Sequence, residues 1–193
     1  MEKMKISNNS WQTSLNQLLH QLTSESGKSP RVAIVGIGNT FRNDDAAGIL
    51  VARELLQREC AANARHLLVI QAGHAPENVT GELRNFAPDL ILLIDAAEMR
   101  DVPGAICWVP IQSIEGMSAS THSLPLSMLA RYLTLELNCV VSLIGIQPKS
   151  NEVGEIISTE VSQAIIEITD EICNICFAIS LDTKLPNSRL AFI

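Results

Sequence analysis

The chain has 193 residues, of which 47% are hydrophobic, 4% aromatic and 18% charged, with a formal net charge of −7. That length suits one domain with a substantial core, and the negative charge argues against nucleic acid or an anionic membrane as a partner. No apolar run approaches the ~20 residues of a membrane span, the first residues lack a signal-peptide core, and five scattered cysteines suit a reducing cytosol better than a disulfide framework.

Residues 1–30 read as an extension to the domain. Trp11, Leu15, Leu18, Leu19 and Leu22 share one helical face, and Ser10 is placed to cap it. The plain expectation is a helix packed on the domain, and a partner-binding arm is the alternative. Ser24–Pro30 reads as a polar break. Residues 31–180 read as the domain and 181–193 as a loosely ordered tail.

Arg31–Ile37 reads as a buried strand that ends in glycines, followed by a polar loop with Asp44 and Asp45 and a helix to about Glu59. This is the first half of a βαβ unit. A second strand covers about His66–Gln71 and leads into Gly73-His-Ala-Pro-Glu-Asn78, where Pro76 suits a short helix start. Leu90–Ile94 is apolar on both faces, as a central strand of a parallel sheet would be, and runs directly into Asp95. Pro103-Gly104 marks a turn before a fourth strand, Ala105–Val109. A helix over about Ser123–Glu136 tolerates Pro125 in its first turn. A fifth strand, Cys139–Ile146, ends at Gln147-Pro148, and a long helix covers about Ser158–Ala178. The pattern predicts an α/β fold: a three-layer α/β/α arrangement around a mostly parallel, twisted five-stranded sheet.

The glycine loop invites comparison with a dinucleotide fingerprint, and the residues speak against it. Gly36 and Gly38 fit, but Phe41 occupies the third glycine position, which normally allows close helix–strand packing. Two aspartates at a helix N-terminus would also repel a pyrophosphate. The loop offers carboxylate oxygen instead, which suits a cation or acid–base chemistry. Ligands of open α/β sheets bind beyond the carboxyl ends of the strands, and Asp45, Asp95 and His122 all fall there. Two carboxylates and an imidazole make a reasonable borderline-metal set. Structural roles as caps or helix starts are the competing account of each. Asn39, Asp44 and His74 are candidates to line the same site. Cys173-Asn-Ile-Cys176 sits in an apolar helical pattern and fits a buried face better than a zinc or redox site. His20 and His66 look incidental. The chain contains no HExxH, GxSxG or Walker A motif.

Five segments in register resemble the hydrogenase maturation endopeptidases: Gly36-Ile-Gly-Asn-Thr-Phe-Arg-Asn-Asp-Asp45, Gly73-His-Ala-Pro-Glu-Asn78, Ile94-Asp-Ala-Ala97, Ser120-Thr-His-Ser-Leu-Pro-Leu126 and Gly145-Ile-Gln-Pro148. The second and fourth look most like the branch that serves formate-hydrogenlyase-type hydrogenases. The resemblance implies a cytoplasmic, aspartic-type endopeptidase. It would remove the C-terminal extension of a [NiFe] hydrogenase large-subunit precursor once nickel is in place, the last step of that subunit's maturation. It further implies that Asp45, Asp95 and His122 recognise Ni²⁺ supplied by the substrate, with Asp45 and Asp95 as the catalytic carboxylates. Monomer is the default state. A non-catalytic nickel- and precursor-binding chaperone and a nucleotide-binding α/β protein are the alternatives.

Overall fold

The computed structural model describes residues 10–58, 65–110 and 125–182. In chain order the elements are α1 (Trp11–Ser26), β1 (Val32–Ile37), a 3-10 turn (Asn43–Ala46), α2 (Ala47–Gln57), β2 (Leu67–Gly73), a second 3-10 turn (Pro76–Val79), α3 (Thr80–Phe86), β3 (Leu90–Ala96), β4 (Ile106–Pro110), α4 (Leu126–Leu137), β5 (Val140–Ile146) and α5 (Thr159–Asp182). The strands form one sheet in the order β2-β1-β3-β5-β4. β2, β1, β3 and β5 are parallel, and β4 closes one edge antiparallel to β5. The expected five-stranded, mostly parallel α/β sheet is therefore present.

Side chains on a strand alternate between the two faces of a sheet. Val32 and Ile34 of β1, with Leu90, Leu92 and Ile94 of β3, face α1, α2 and α5. Ala33, Val35 and Ile37, with Ile91 and Leu93, face α3 and α4. β1 and β3 are buried on both faces, which is why they read as unbroken apolar runs.

Helix α1 is integral to one of these layers. Trp11, Leu15 and Leu19 are buried in the same cluster as β1, β3 and α5. The Trp11 indole Nε1–H donates to Glu167 Oε1 of α5 at 3.2 Å. Ser10 caps the start by accepting from the Thr13 amide at 3.2 Å. The polar break expected from Ser24 begins later than the sequence suggests. The helix continues to Ser26 and stops at Gly27, whose left-handed φ of 66° lets its N–H reach the Thr23 carbonyl.

Other boundaries also shift for local reasons. α4 starts at Leu126, with Pro125 as its N-cap at ψ 132° rather than within its first turn. The extended ψ of Pro125 places it before the first helical turn, and the earlier part of the expected start, Ser123 and Leu124, lies outside the described residues. α5 starts at Thr159 because Ser158 is its cap, accepting from the Val161 amide at 3.4 Å. It also runs to Asp182, four residues beyond the expected Ala178.

The most informative difference concerns glycine. Close helix–strand packing is present despite Phe41, and Gly36 and Gly48 provide it. A Cβ on Gly36 would stand 2.7 Å from Ala52 Cβ and closer still to the Gly48 carbonyl oxygen. A Cβ on Gly48 would stand 2.7 Å from the Ile94 carbonyl carbon. Both positions exclude any side chain. Phe41 itself is solvent-exposed and takes no part in this packing.

Candidate active site at the carboxyl edge of β1 and β3

β2 lies on one side of β1 and β3 on the other, so the strand order reverses between β1 and β3. In open α/β sheets that reversal opens a crevice beyond the carboxyl ends of the strands. The two sides of this crevice are tied together by Gly48, whose backbone presses on the carbonyls of both Ile37 and Ile94. Asp45 is three residues before Gly48, and Asp95 immediately follows Ile94. The glycine contact therefore brings the two acid-bearing segments to one place. Both carboxylate residues are buried, Asp45 at 4% exposure and Asp95 at 2%.

The loop before Asp45 is fixed by its backbone. Gly38 adopts φ 140°, open to glycine and rarely to other residues. Its N–H donates to the Gly73 carbonyl at 3.1 Å, which joins the loop to the end of β2. The Asn39 N–H donates to the Asp45 carbonyl and the Asp45 N–H to the Arg42 carbonyl, at 3.1 and 2.9 Å. The Asn39 side-chain oxygen accepts from the Phe41 amide at 3.0 Å, so this candidate residue shapes the turn. His74 follows Gly73 and is exposed at the same edge.

Asp44, next to Asp45 in the turn, is held from across the fold. Asp44 is 1% exposed, and both its oxygens are occupied by the segment before α5. Oδ2 accepts from the amides of Lys149 and Ser150 at 2.9 and 3.1 Å and from Ser158 Oγ at 3.0 Å. Oδ1 accepts from the Ser158 amide at 2.7 Å. A carboxylate with four donors at the N-terminus of α5 is a structural anchor, favoured further by the helix dipole. Asp44 caps a helix, but one that lies more than a hundred residues away in sequence.

Sequence reasoning missed several parts of this frame. Gly48, an isolated glycine in a helical pattern, carried the available signal of close packing. Gln147 is buried and holds the β3–β4 connection: its Oε1 accepts from the Met99 amide at 2.7 Å and its Nε2 donates to Glu98 at 3.3 Å. Arg42 ties the first loop to the segment before α5, donating to the Asn151 carbonyl at 2.9 Å. His122 lies outside the described residues. Among the described residues no three His, Cys, Asp or Glu side chains stand together as a metal site. Cys173 packs partly buried against the core, as expected of a helix face, and is also disulfide-bonded, which the sequence reading did not anticipate. Among the described residues no helix is long and apolar enough to cross a membrane.

Comparison with known proteins agrees with this architecture. A family model described as the HycI hydrogenase maturation protease matches residues 49–175. A relative from Methanocaldococcus jannaschii that carries a hydrogenase maturation protease name is 34% identical over 153 residues, covering 74% of this chain and 90% of the relative. The Hydrogenase 3 maturation protease of Escherichia coli K12 is 36% identical over 114 residues, covering 58% of this chain and 69% of the relative. Among solved structures, the [NiFe] hydrogenase maturation protease HycI of Thermococcus kodakarensis superposes with a TM-score of 0.71 at 31% identity, covering 83% of this chain and 99% of that one. These matches make the chain, with its α/β fold and acidic residues over a switch point, a peptidase. The chain belongs to the hydrogenase maturation protease family, whose members cleave the C-terminal extension of hydrogenase large subunits.

Proposed function

We propose that the substrate is a nickel-loaded [NiFe] hydrogenase large-subunit precursor, and that Asp45 and Asp95 grip its nickel transiently, with His122 as third ligand. The observation that carries this reading is the Gly48 contact, which holds the turn bearing Asp45 against the end of β3 bearing Asp95, both residues buried, at one switch point. The family resemblance assigns the ligand role to Asp45, and Asp44, held by four donors, anchors the turn beside it. Carboxylate and imidazole serve as partial nickel ligands, while soft thiolates in the substrate supply the rest.

Nickel held this way would position the scissile peptide bond. Water attack then has two routes: a metal-lowered pKa of bound water, or general-base action by Asp45 or Asp95. The second route corresponds to an aspartic-type peptidase. Action in the cytoplasm is part of the same proposal, taken from the family resemblance.

The test is the intact mass of nickel-loaded and nickel-free precursor before and after incubation with the protein. Loss of a C-terminal peptide from the nickel-loaded sample alone is the expected result. Cleavage of both samples removes nickel as the recognition element. Binding without cleavage of either points to the chaperone alternative.

A further inference from the structure

The segment that grips Asp44 also carries a feature that the chemistry above does not use. Arg42 pairs with Gly154 in a parallel bridge, which sets Phe41 beside Val153. The Phe41 carbonyl accepts from the Gly154 amide at 2.9 Å, and the Asn43 amide donates to the Gly154 carbonyl at 2.8 Å. Asn43 Oδ1 accepts from the Ile156 amide at 3.1 Å. On this cross-linked pair of loops, Phe41 is 66% exposed, Val153 85% and Ile156 80%. Single exposed apolar residues are normal on a surface, but three on one cross-linked pair of loops are grouped rather than scattered. Three large apolar groups displayed by a hydrogen-bonded scaffold cost little conformational freedom when covered.

We propose that Phe41, Val153 and Ile156 form the docking surface for the hydrogenase large-subunit precursor, a surface distinct from the metal-gripping carboxylates. This rests on the peptidase reading above. The occupant is an apolar segment of the precursor, near its C-terminal extension and bordered by Lys or Arg. The argument for that occupant has two parts. Phe41 and Asp45 belong to one fixed turn, since the Asp45 amide donates to the Arg42 carbonyl at 2.9 Å, so a partner seated on the patch lies against the same turn that carries the site. Glu152 and Glu155 are exposed at the rim, which favours basic neighbours in the partner. The same glutamates disfavour a second copy, because a patch paired with itself brings like charges together.

The test compares the wild type with a variant combining Phe41→Ser, Val153→Ser and Ile156→Ser, and with Leu135→Ser, an exposed apolar residue on α4, as control. Binding of nickel-loaded precursor is measured by an optical biosensor, processing by intact mass and folding by thermal denaturation. The triple variant should keep its melting temperature and bind with Kd raised about 10-fold or more, the scale of losing interface anchors. Leu135→Ser should match the wild type. Val153→Ser alone should shift Kd in the same direction, which keeps the test decisive if the triple variant folds poorly. An unchanged Kd in a folded variant overturns the proposal. So does a wild-type dimer that the triple variant dissolves, which would assign the patch to a second copy. Wild type that binds but never cuts overturns the peptidase reading alone, and the Kd comparison still decides the docking surface.

Discussion

Gly48 of α2 lies against the main chain of Ile94 in β3, so closely that a Cβ at position 48 would stand 2.7 Å from the Ile94 carbonyl carbon. The neighbouring atoms are backbone and cannot swing away. Gly48→Ala should therefore destabilise the fold by roughly 3 kcal/mol or more, in the manner of an overpacked core. Gly36→Ala should behave alike, since its Cβ would meet Ala52 Cβ at 2.7 Å and the Gly48 carbonyl. By contrast, Gly81→Ala has open space and a helical position, and should be neutral to stabilising. Urea denaturation of the three variants checks the order.

Variants of Asp44 and Asp95 are expected to separate structure from chemistry. Asp44→Asn leaves one acceptor oxygen where four donors converge, and turns an amide group toward buried N–H groups. The expected loss is about 3 kcal/mol, from charged hydrogen bonds of ~1.5–3 kcal/mol each that are partly re-formed. Hydrogen exchange at the Gly154 and Ile156 amides should accelerate with it. Asp95→Asn preserves side-chain shape and removes charge. Precursor processing should vanish while the melting temperature stays within a few degrees. Normal processing by that variant would remove Asp95 from the mechanism.

Trp11 distinguishes a core helix from a partner arm. Its ring is buried against the sheet, and its indole bonds to Glu167. Trp11→Ala should cost about 3–5 kcal/mol, the range for large aromatic truncations in cores. Trp11→Phe should cost less, because most of the buried area remains. If α1 were a free arm, neither change would move the denaturation midpoint.

Cys139 gives a pH signature. Burial, with a smaller contribution from the Asp89 carboxylate, pushes its thiol up to about 11 against an opposing backbone hydrogen bond. The folded state then holds its proton where the unfolded thiol, near 8.5, has lost it. Stability from this group is complete below about pH 8.5 and falls as pH rises toward 11. Native protein at pH 8 should resist iodoacetamide at Cys139 and react there after unfolding. Cys139→Ala should flatten the alkaline part of the stability curve.

Much of this fold could be read along the chain. The unbroken apolar runs of β1 and β3 signalled burial on both faces, and the amphipathic spacing of Trp11, Leu15 and Leu19 marked the inner face of α1. Asp45 and Asp95 could be singled out because each follows a strand. What stayed hidden is non-local. Nothing near Asp44 reveals that its donors come from Lys149, Ser150 and Ser158. Gly48 gave a weak cue because its reason for being glycine is the Ile94 carbonyl on another strand. The antiparallel direction of β4 follows from how the chain returns after β3, which strand composition does not encode.

The bond from Trp11 to Glu167 joins residues 156 positions apart. A ribosome makes roughly 5–20 residues each second, so α1 emerges many seconds before the helix it needs. During that interval its apolar face lacks the α5 part of its native partners. The sheet and α2 can assemble earlier and cover one side of α1, and the docking of α1 is completed only after α5 has left the exit tunnel. The newborn protein therefore passes through a stage with a partly uncovered hydrophobic helix, a natural target for a holding chaperone.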